Sequence, residues 1–173
     1  MTRITVRDLS ESMQDYLEVI LAIQEKYQVA RVKDIAEKLN ILRGSVTGAL
    51  KNLAEKGLIN YEPYSFITLT EQGKIMAEEI TRRHRVIRDF LQRILLMEPE
   101  VADQNACRME HAMDREAVDR LVVFIEYIYK CPRTGADWID GFVRYFSGEK
   151  RSEEACRACL ERCVQQFEKN YSG

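Results

Sequence analysis

Proline, histidine and glycine are scarce in this chain of 173 residues, which has three prolines, two histidines and eight glycines. The glycines are scattered, so no glycine-rich phosphate loop is present, and no nucleophile motif stands beside them. The usual marks of a nucleotide-dependent or covalent enzyme are therefore missing. No apolar run is long enough to cross a bilayer. The most apolar stretch, residues 121–129, contains Glu126 and falls well short of the ~20 residues a spanning helix needs. The first eight residues carry no apolar segment behind Arg3, so no secretory leader and no membrane partner are expected. That places the chain in the cytoplasm, where its five cysteines are read as thiols or metal ligands before disulfides. A strong positive charge is also missing. Lys and Arg total 26 against 28 Asp and Glu, a net charge of −2, which argues against indiscriminate nucleic-acid binding.

What is present is an ordinary globular composition, 46% apolar and 31% charged, enough for one large domain or two small ones. Met13, Leu17, Ile20 and Leu21 recur at helical spacing and predict a first helix over residues 10–26, with Ser10 or Ser12 as its cap. Val32, Ile35, Ala36 and Leu39 predict a short second helix over 31–39. Residues 40–44 read as a break, and Val46, Ala49, Leu50 and Leu53 predict a third helix over 45–56, closed by Gly57. Two short helices joined by a tight turn, the second displaying small polar residues, form a helix-turn-helix pattern. Two β-branched and aromatic runs, 58–62 and 66–70, flank a turn at Pro63, Tyr64 and Ser65, and together they read as a wing.

Within residues 31–60 the local charge is positive, with six basic residues against three acidic ones. A recognition helix sets its N-terminal residues against base edges. Here those are Arg43, Gly44, Ser45, Thr47 and Gly48, with Lys51 further along; Arg31, Lys33 and Tyr64 are the expected phosphate contacts. A three-helix core with a solvated basic face, or a winged fold used for protein contacts, is the competing reading.

Beyond the wing the chain reads as helical throughout. Helices are predicted from 71 to about 96, over 99–113, from a cap at Asp114 to 129, and over 137–146 and 152–171. On the second of these, Cys107, Glu110 and His111 stand at i, i+3 and i+4 and share one face, displaced from the apolar stripe of Ala102, Ala106, Met109 and Met113. Sulfur, oxygen and nitrogen thus face a common point. Read alone, that triad suits either a metal site or a solvated polar face. Asp15 and Glu18 read alone as a solvated face, and His84 as an interhelical histidine.

From Met13 to about residue 129 the chain resembles the iron- or manganese-dependent repressors of the diphtheria toxin repressor and manganese transport regulator family. The resemblance is carried by Met13-Gln14-Asp15-Tyr16-Leu17-Glu18, Arg31-Val32-Lys33-Asp34-Ile35-Ala36-Glu37, Ser45-Val46-Thr47, Leu69-Thr70-Glu71-Gln72-Gly73-Lys74, Arg83-His84 and Cys107-Arg108-Met109-Glu110-His111. It implies metal ligands at Asp15, Glu18, His84, Cys107, Glu110 and His111. Asp15 and Glu18 follow the manganese type and Cys107 the iron type. Arg88 and Asp103 stand where the iron type has an ancillary site, so that design is not expected here. A thiolate favours iron, cobalt or zinc over manganese, whereas carboxylates suit manganese; availability in a reduced cytoplasm then puts Fe²⁺ first and Mn²⁺ second.

The expected fold is mainly α: a winged helix-turn-helix with a two-stranded wing over 1–74, an all-helical metal-binding and dimerisation domain over 75–130, and a helical tail over 131–173. The resemblance implies a homodimer on a palindromic double-stranded DNA operator, with metal linking the two domains. The dimer face is expected at Leu121, Val122, Ile125 and Ile128. In the tail, Cys131, Cys156, Cys159 and Cys163 could bind a second metal or respond to redox state, but the spacing of 156, 159 and 163 with Leu160 and Phe167 favours plain packing. A metal hydrolase using Cys107, Glu110 and His111 has no use for a DNA-reading module, so no enzyme is expected. The remaining alternative is a thiol- or small-molecule-responsive winged-helix regulator with a vestigial metal site.

Overall fold

A computed structural model describes the chain at residues 4–62, 65–130, 135–148 and 153–171, without the side chains of 135–138, 155, 159, 163, 166, 167 and 169–171. Tyr64 and Cys131 lie outside the described residues, as do the side chains of Cys159 and Cys163. The chain forms two compact units. One comprises Met1–Arg85 with Cys107–Ala112, the other Val86–Ala106 with Met113–Gly173.

In the first unit a short 3-10 turn, Val6–Asp8, precedes α1 (Glu11–Tyr27). Ser10 caps α1, its hydroxyl accepting from the Met13 amide at 3.3 Å. The helix buries Leu17, Ile20, Leu21 and Ile23 together with Gln14 and Tyr16, and ends where Gln28 turns left-handed. Next come α2 (Val32–Leu39), stopped by left-handed Asn40, and α3 (Arg43–Glu55). α3 starts two residues before the expected Ser45, because burial of Val46, Leu50 and Leu53 outweighs the poor helix propensity of one glycine, Gly44.

The wing is shorter than the sequence pattern suggests. β1 (Ile59–Asn60) and β2 (Thr68–Leu69) pair antiparallel, Ile59 opposite Leu69 and Asn60 opposite Thr68. Other partners take the neighbouring backbone groups. Ile67 bridges to Ala30, and the Leu69 amide donates to Gln24 Oε1 at 2.7 Å. α4 (Glu71–Arg93) follows at once. Thr70 joins the two elements, accepting from the Gly73 amide at 3.1 Å and donating to the Gly57 carbonyl at 2.8 Å. The core of this unit gathers Leu17, Ile20, Ile35, Leu50, Leu53, Leu58, Ile67 and Ile80, all fully buried.

The second unit holds the end of α4, most of α5 (Pro99–Ala112), α6 (Arg115–Lys130), α7 (Gly135–Phe146) and α8 (Glu153–Tyr171). Asp114 caps α6 through the Ala117 amide at 2.8 Å. On α6, Ile128 is buried and Leu121, Val122 and Ile125 are half-buried within the chain, while Val123, Phe124 and Tyr127 are exposed. Among the described residues no helix is long and apolar enough to cross a membrane.

Candidate metal centre and nucleic-acid interface

One turn of α5 carries Cys107, Glu110 and His111, and α1 brings Asp15 to them. The ligand atoms of these four side chains all lie within 4.8 Å of one another. His111 Nε2 is 3.2 Å from Asp15 Oδ1 and 3.6 Å from Glu110 Oε1. Its other ring nitrogen, Nδ1, is 3.0 Å from Gln14 Oε1. Glu110 is fully buried, and its Oε1 has no hydrogen-bond partner. The second carboxylate oxygen, Oε2, is 2.7 Å from His84 Nδ1 on α4.

Glu18 and His84 belong to the same neighbourhood but not to the group of four. Glu18 hydrogen-bonds Thr81 and feels the charges of both Glu110 and His84. Of the six ligands that the resemblance implies, four share one cluster, His84 meets Glu110 Oε2, and Glu18 lies near enough to feel both. Arg88 and Asp103, which replace ancillary ligands of the iron type, form an ion pair at 4.0 Å. Two opposite charges occupy those two positions.

The electrostatics favour a cation. Burial holds the Asp15 carboxyl above its ordinary range, and the Glu110 charge adds to this, against the opposing pull of His111. Burial likewise pushes Glu18 up to about 7, again with Glu110 adding to it, while His84 and Thr81 pull the other way. Carboxylates crowded in a partly dry site cost energy when ionised unless positive charge joins them. A buried carboxylate oxygen without a partner, an imidazole nitrogen, a thiol and a second carboxylate make a donor set suited to a divalent transition metal. The residues fit such an ion.

A pH dependence follows. Without metal, folded Glu18 keeps its proton up to about pH 7, whereas the unfolded chain releases it near 4.5. The folded state binds more protons in that window, so this contribution to stability is present at low pH and is lost as pH rises. Melting of the metal-free protein, compared with Glu18→Gln, should show the parent losing stability relative to the variant between about pH 5 and about pH 7.5, by no more than ~3 kcal/mol. A parent that gains on the variant across that window contradicts the burial of Glu18.

α3 displays the other site. Arg43, Gly44, Ser45, Gly48 and Lys51 are exposed, and Thr47 is half-buried. Arg31, Lys33, Arg43, Thr47 and Lys51 line a cleft of ≈ 620 Å³ with Tyr61, Ser65 and Phe66 of the wing segment. The Arg31 guanidinium lies 5.2 Å from the Phe66 ring centre, which steadies a cation at the cleft edge. A Cβ added at Gly44 or Gly48 would meet nothing within 4 Å. The sequence pattern did not single out Leu42, which precedes Arg43 and is 80% exposed. In the tail, Cys156 is half-buried and forms no disulfide.

A winged helix-turn-helix with a soft-and-hard ligand cluster on its first helix and a later helix defines a class: metal-responsive DNA-binding proteins. The chain matches the iron dependent repressor N-terminal DNA binding domain over residues 8–67, and the iron dependent repressor metal binding and dimerisation domain over residues 70–139. A helix-turn-helix-type transcriptional regulator of Methanocaldococcus jannaschii is 40% identical over 119 residues, covering 68% of this chain and 95% of its own length. The transcriptional regulator MntR of Escherichia coli is 34% identical over 116 residues, covering 67% of this chain and 74% of its own. A solved manganese-dependent transcriptional repressor in complex with manganese is 28% identical, with a TM-score of 0.61 over 70% of this chain and 56% of that one. The chain therefore spans little more than half the length of that structural relative. It belongs to the iron-dependent repressor family, whose members are metal-dependent transcriptional regulators rather than enzymes.

Proposed function

We propose that this chain is a cytoplasmic metal-sensing repressor in which a divalent cation, Fe²⁺ before Mn²⁺, ties the DNA-reading part to the helices that follow it. The carrying observation is the convergence of Asp15, Cys107, Glu110 and His111 within 4.8 Å. Asp15 precedes the wing in the chain and the other three follow it. Residues 1–74 read DNA, 75–130 bind metal and dimerise, and 131–173 form an appended helical tail. Glu18 and His84 complete the ligand neighbourhood. Cys107 favours iron, whereas Asp15 and Glu18 keep manganese in second place.

A homodimer reads two half-sites of a palindromic operator, so the spacing of its two recognition helices must match the DNA. With the first helix held to α5, the chain loses less conformational freedom on binding. A coupling of about 1–3 kcal/mol makes a working switch. Selection of duplexes from a random pool in Mn²⁺ or anaerobic Fe²⁺, followed by anisotropy with and without chelator, tests this. The expected result is a two-fold-symmetric sequence bound far more tightly with metal. Affinity indifferent to chelator would sink the proposal.

Gly44 and Gly48 are one helical turn apart on the exposed side of α3, and among the described residues no contact requires either to be glycine. Helix-interior glycine costs roughly 0.5–1 kcal/mol relative to alanine, so a close external approach is the functional reason to keep two. Gly48→Ala is expected to raise the melting temperature slightly while weakening operator binding by about tenfold or more, the effect of ~1.4 kcal/mol of lost complementarity. Unchanged affinity for the selected duplex would remove this helix face from the interface.

A further inference from the structure

Among the described residues only Gln14, Arg83 and Glu110 are polar yet buried. Gln14 lies on α1 immediately before Asp15, and its amide has partners at both ends. The nitrogen is 3.2 Å from the Leu9 carbonyl oxygen and 3.4 Å from that of Val6. Carbonyl oxygens only accept, so the NH₂ end of the amide must face them. That leaves Oε1 towards His111 Nδ1, at 3.0 Å. An amide oxygen also only accepts, so the ring nitrogen facing it must carry the hydrogen.

The consequence falls on the opposite ring nitrogen. With Nδ1 held as a donor, Nε2 is the ring atom left to face the cluster, 3.2 Å from Asp15 Oδ1 and 3.6 Å from Glu110 Oε1; without metal it donates to Asp15, and a cation takes the place of that hydrogen. In the reverse tautomer Nδ1 is bare, so Nε2 must give up its hydrogen and Nδ1 gain one before the ring can bind a cation through Nε2. We infer that Gln14 is a positioning residue: anchored by the Val6 and Leu9 carbonyls, it fixes the His111 tautomer and aims the Nε2 lone pair at the cation site. The inference rests on the reading of that cluster as a metal centre. It also connects the centre to the turn ahead of α1, because release of those carbonyls frees the amide to rotate.

The test uses the full chain, metal-free and ¹⁵N-labelled. Two-bond ¹H–¹⁵N spectra distinguish imidazole tautomers, and the loss of one signal set in His111→Asn assigns the ring, since the chain has two histidines. The parent should show hydrogen on His111 Nδ1, whether or not Nε2 also donates to Asp15. Gln14→Met, near in size but unable to accept, should populate the Nε2–H form and weaken Mn²⁺ binding about 10–100-fold, whereas Gln14→Glu, which accepts at Nδ1 but cannot donate to the Val6 and Leu9 carbonyls, should keep hydrogen on Nδ1 and lose distinctly less affinity than Gln14→Met. A His111 with no hydrogen on Nδ1 in the parent would overturn the inference even if Gln14→Met failed to fold. So would parental Mn²⁺ affinity in Gln14→Met, or equal weakening in both variants with the tautomer unchanged, which would reduce Gln14 to a packing role. Failure of the sensor reading looks different: the parent would show the Nδ1–H tautomer and bind no Mn²⁺ at all.

Discussion

His111→Ala is expected to abolish the dependence of DNA binding on Fe²⁺ or Mn²⁺ while leaving a folded protein. The ring is 5% exposed and contacts three polar partners, Gln14, Asp15 and Glu110. None belongs to the apolar core of Leu17, Ile20, Leu50, Leu53 and Ile80 that holds the first unit together. Loss of hydrogen bonds at that ring costs of the order of 1–3 kcal/mol, within what a domain of this size withstands. Loss of the nitrogen donor removes the only neutral, nitrogen-based ligand of the four and leaves Asp15 and Glu110 crowded. With a coupling of about 1–3 kcal/mol in the parent, the ratio of affinities with and without metal should fall from roughly 5–150-fold to about one. Affinity in the presence of chelator should match the parent's. Asp15→Ala should act in the same direction but less completely, because Asp15 is 38% exposed and a water can take its place. Anisotropy titrations paired with circular dichroism decide the matter. A folded His111→Ala protein with the parent's metal response would show that the cluster is not the sensor.

Much of this arrangement is legible in the chain because it is local. Ser10 and Asp114 cap helices, and left-handed Gly57 ends one, as their residue types require. Cys107, Glu110 and His111 share a helix face, so their spacing alone brings them together. Other features depended on long-range contacts. The wing strands shrink to two residues each because α1 and Ala30 take backbone groups that the β pattern would have assigned to a longer ladder. Periodicity placed Met109 and Met113 on the inward stripe of α5, yet Ala102, Ala106 and Glu110 are the buried residues, four apart along the helix. A carboxylate was not expected there, since burial of a charge makes sense only beside the histidines and the cation site. Asp15 joined the ligand set through family resemblance alone, because no pattern within α1 tells a ligand from a solvated acid. Gln14 left one usable signal. It is a polar residue in line with Leu17 and Leu21 on the buried side of α1.

The same Gly→Ala exchange separates function from fold when it is made at Gly73 instead of on α3. Gly73 sits in the first turn of α4, where its amide donates to the Thr70 hydroxyl. A Cβ there would lie 1.9 Å from the Leu58 carbonyl oxygen and 2.9 Å from its carbon. These are backbone atoms, and they cannot swing aside like a side chain. The Leu58 carbonyl is also held in place by the Thr70 amide at 3.0 Å, and Leu58 itself is fully buried. An added methyl must therefore part α4 from the segment entering the wing, disturbing the Thr70 link on both sides. Overpacking against fixed backbone costs typically 1–3 kcal/mol and sometimes more; Gly73→Ala should reach ~3 kcal/mol, a fall in melting temperature on the order of 10 °C. Metal and DNA affinities of whatever protein stays folded should change far less than the melting temperature, since Gly73 touches none of Asp15, Cys107, Glu110 or His111 and no α3 residue. Gly48→Ala should show the mirror image, with stability kept or slightly raised and DNA binding weakened. If Gly73→Ala melts within a degree or two of the parent, the close approach of α4 to the Leu58 carbonyl is wrong.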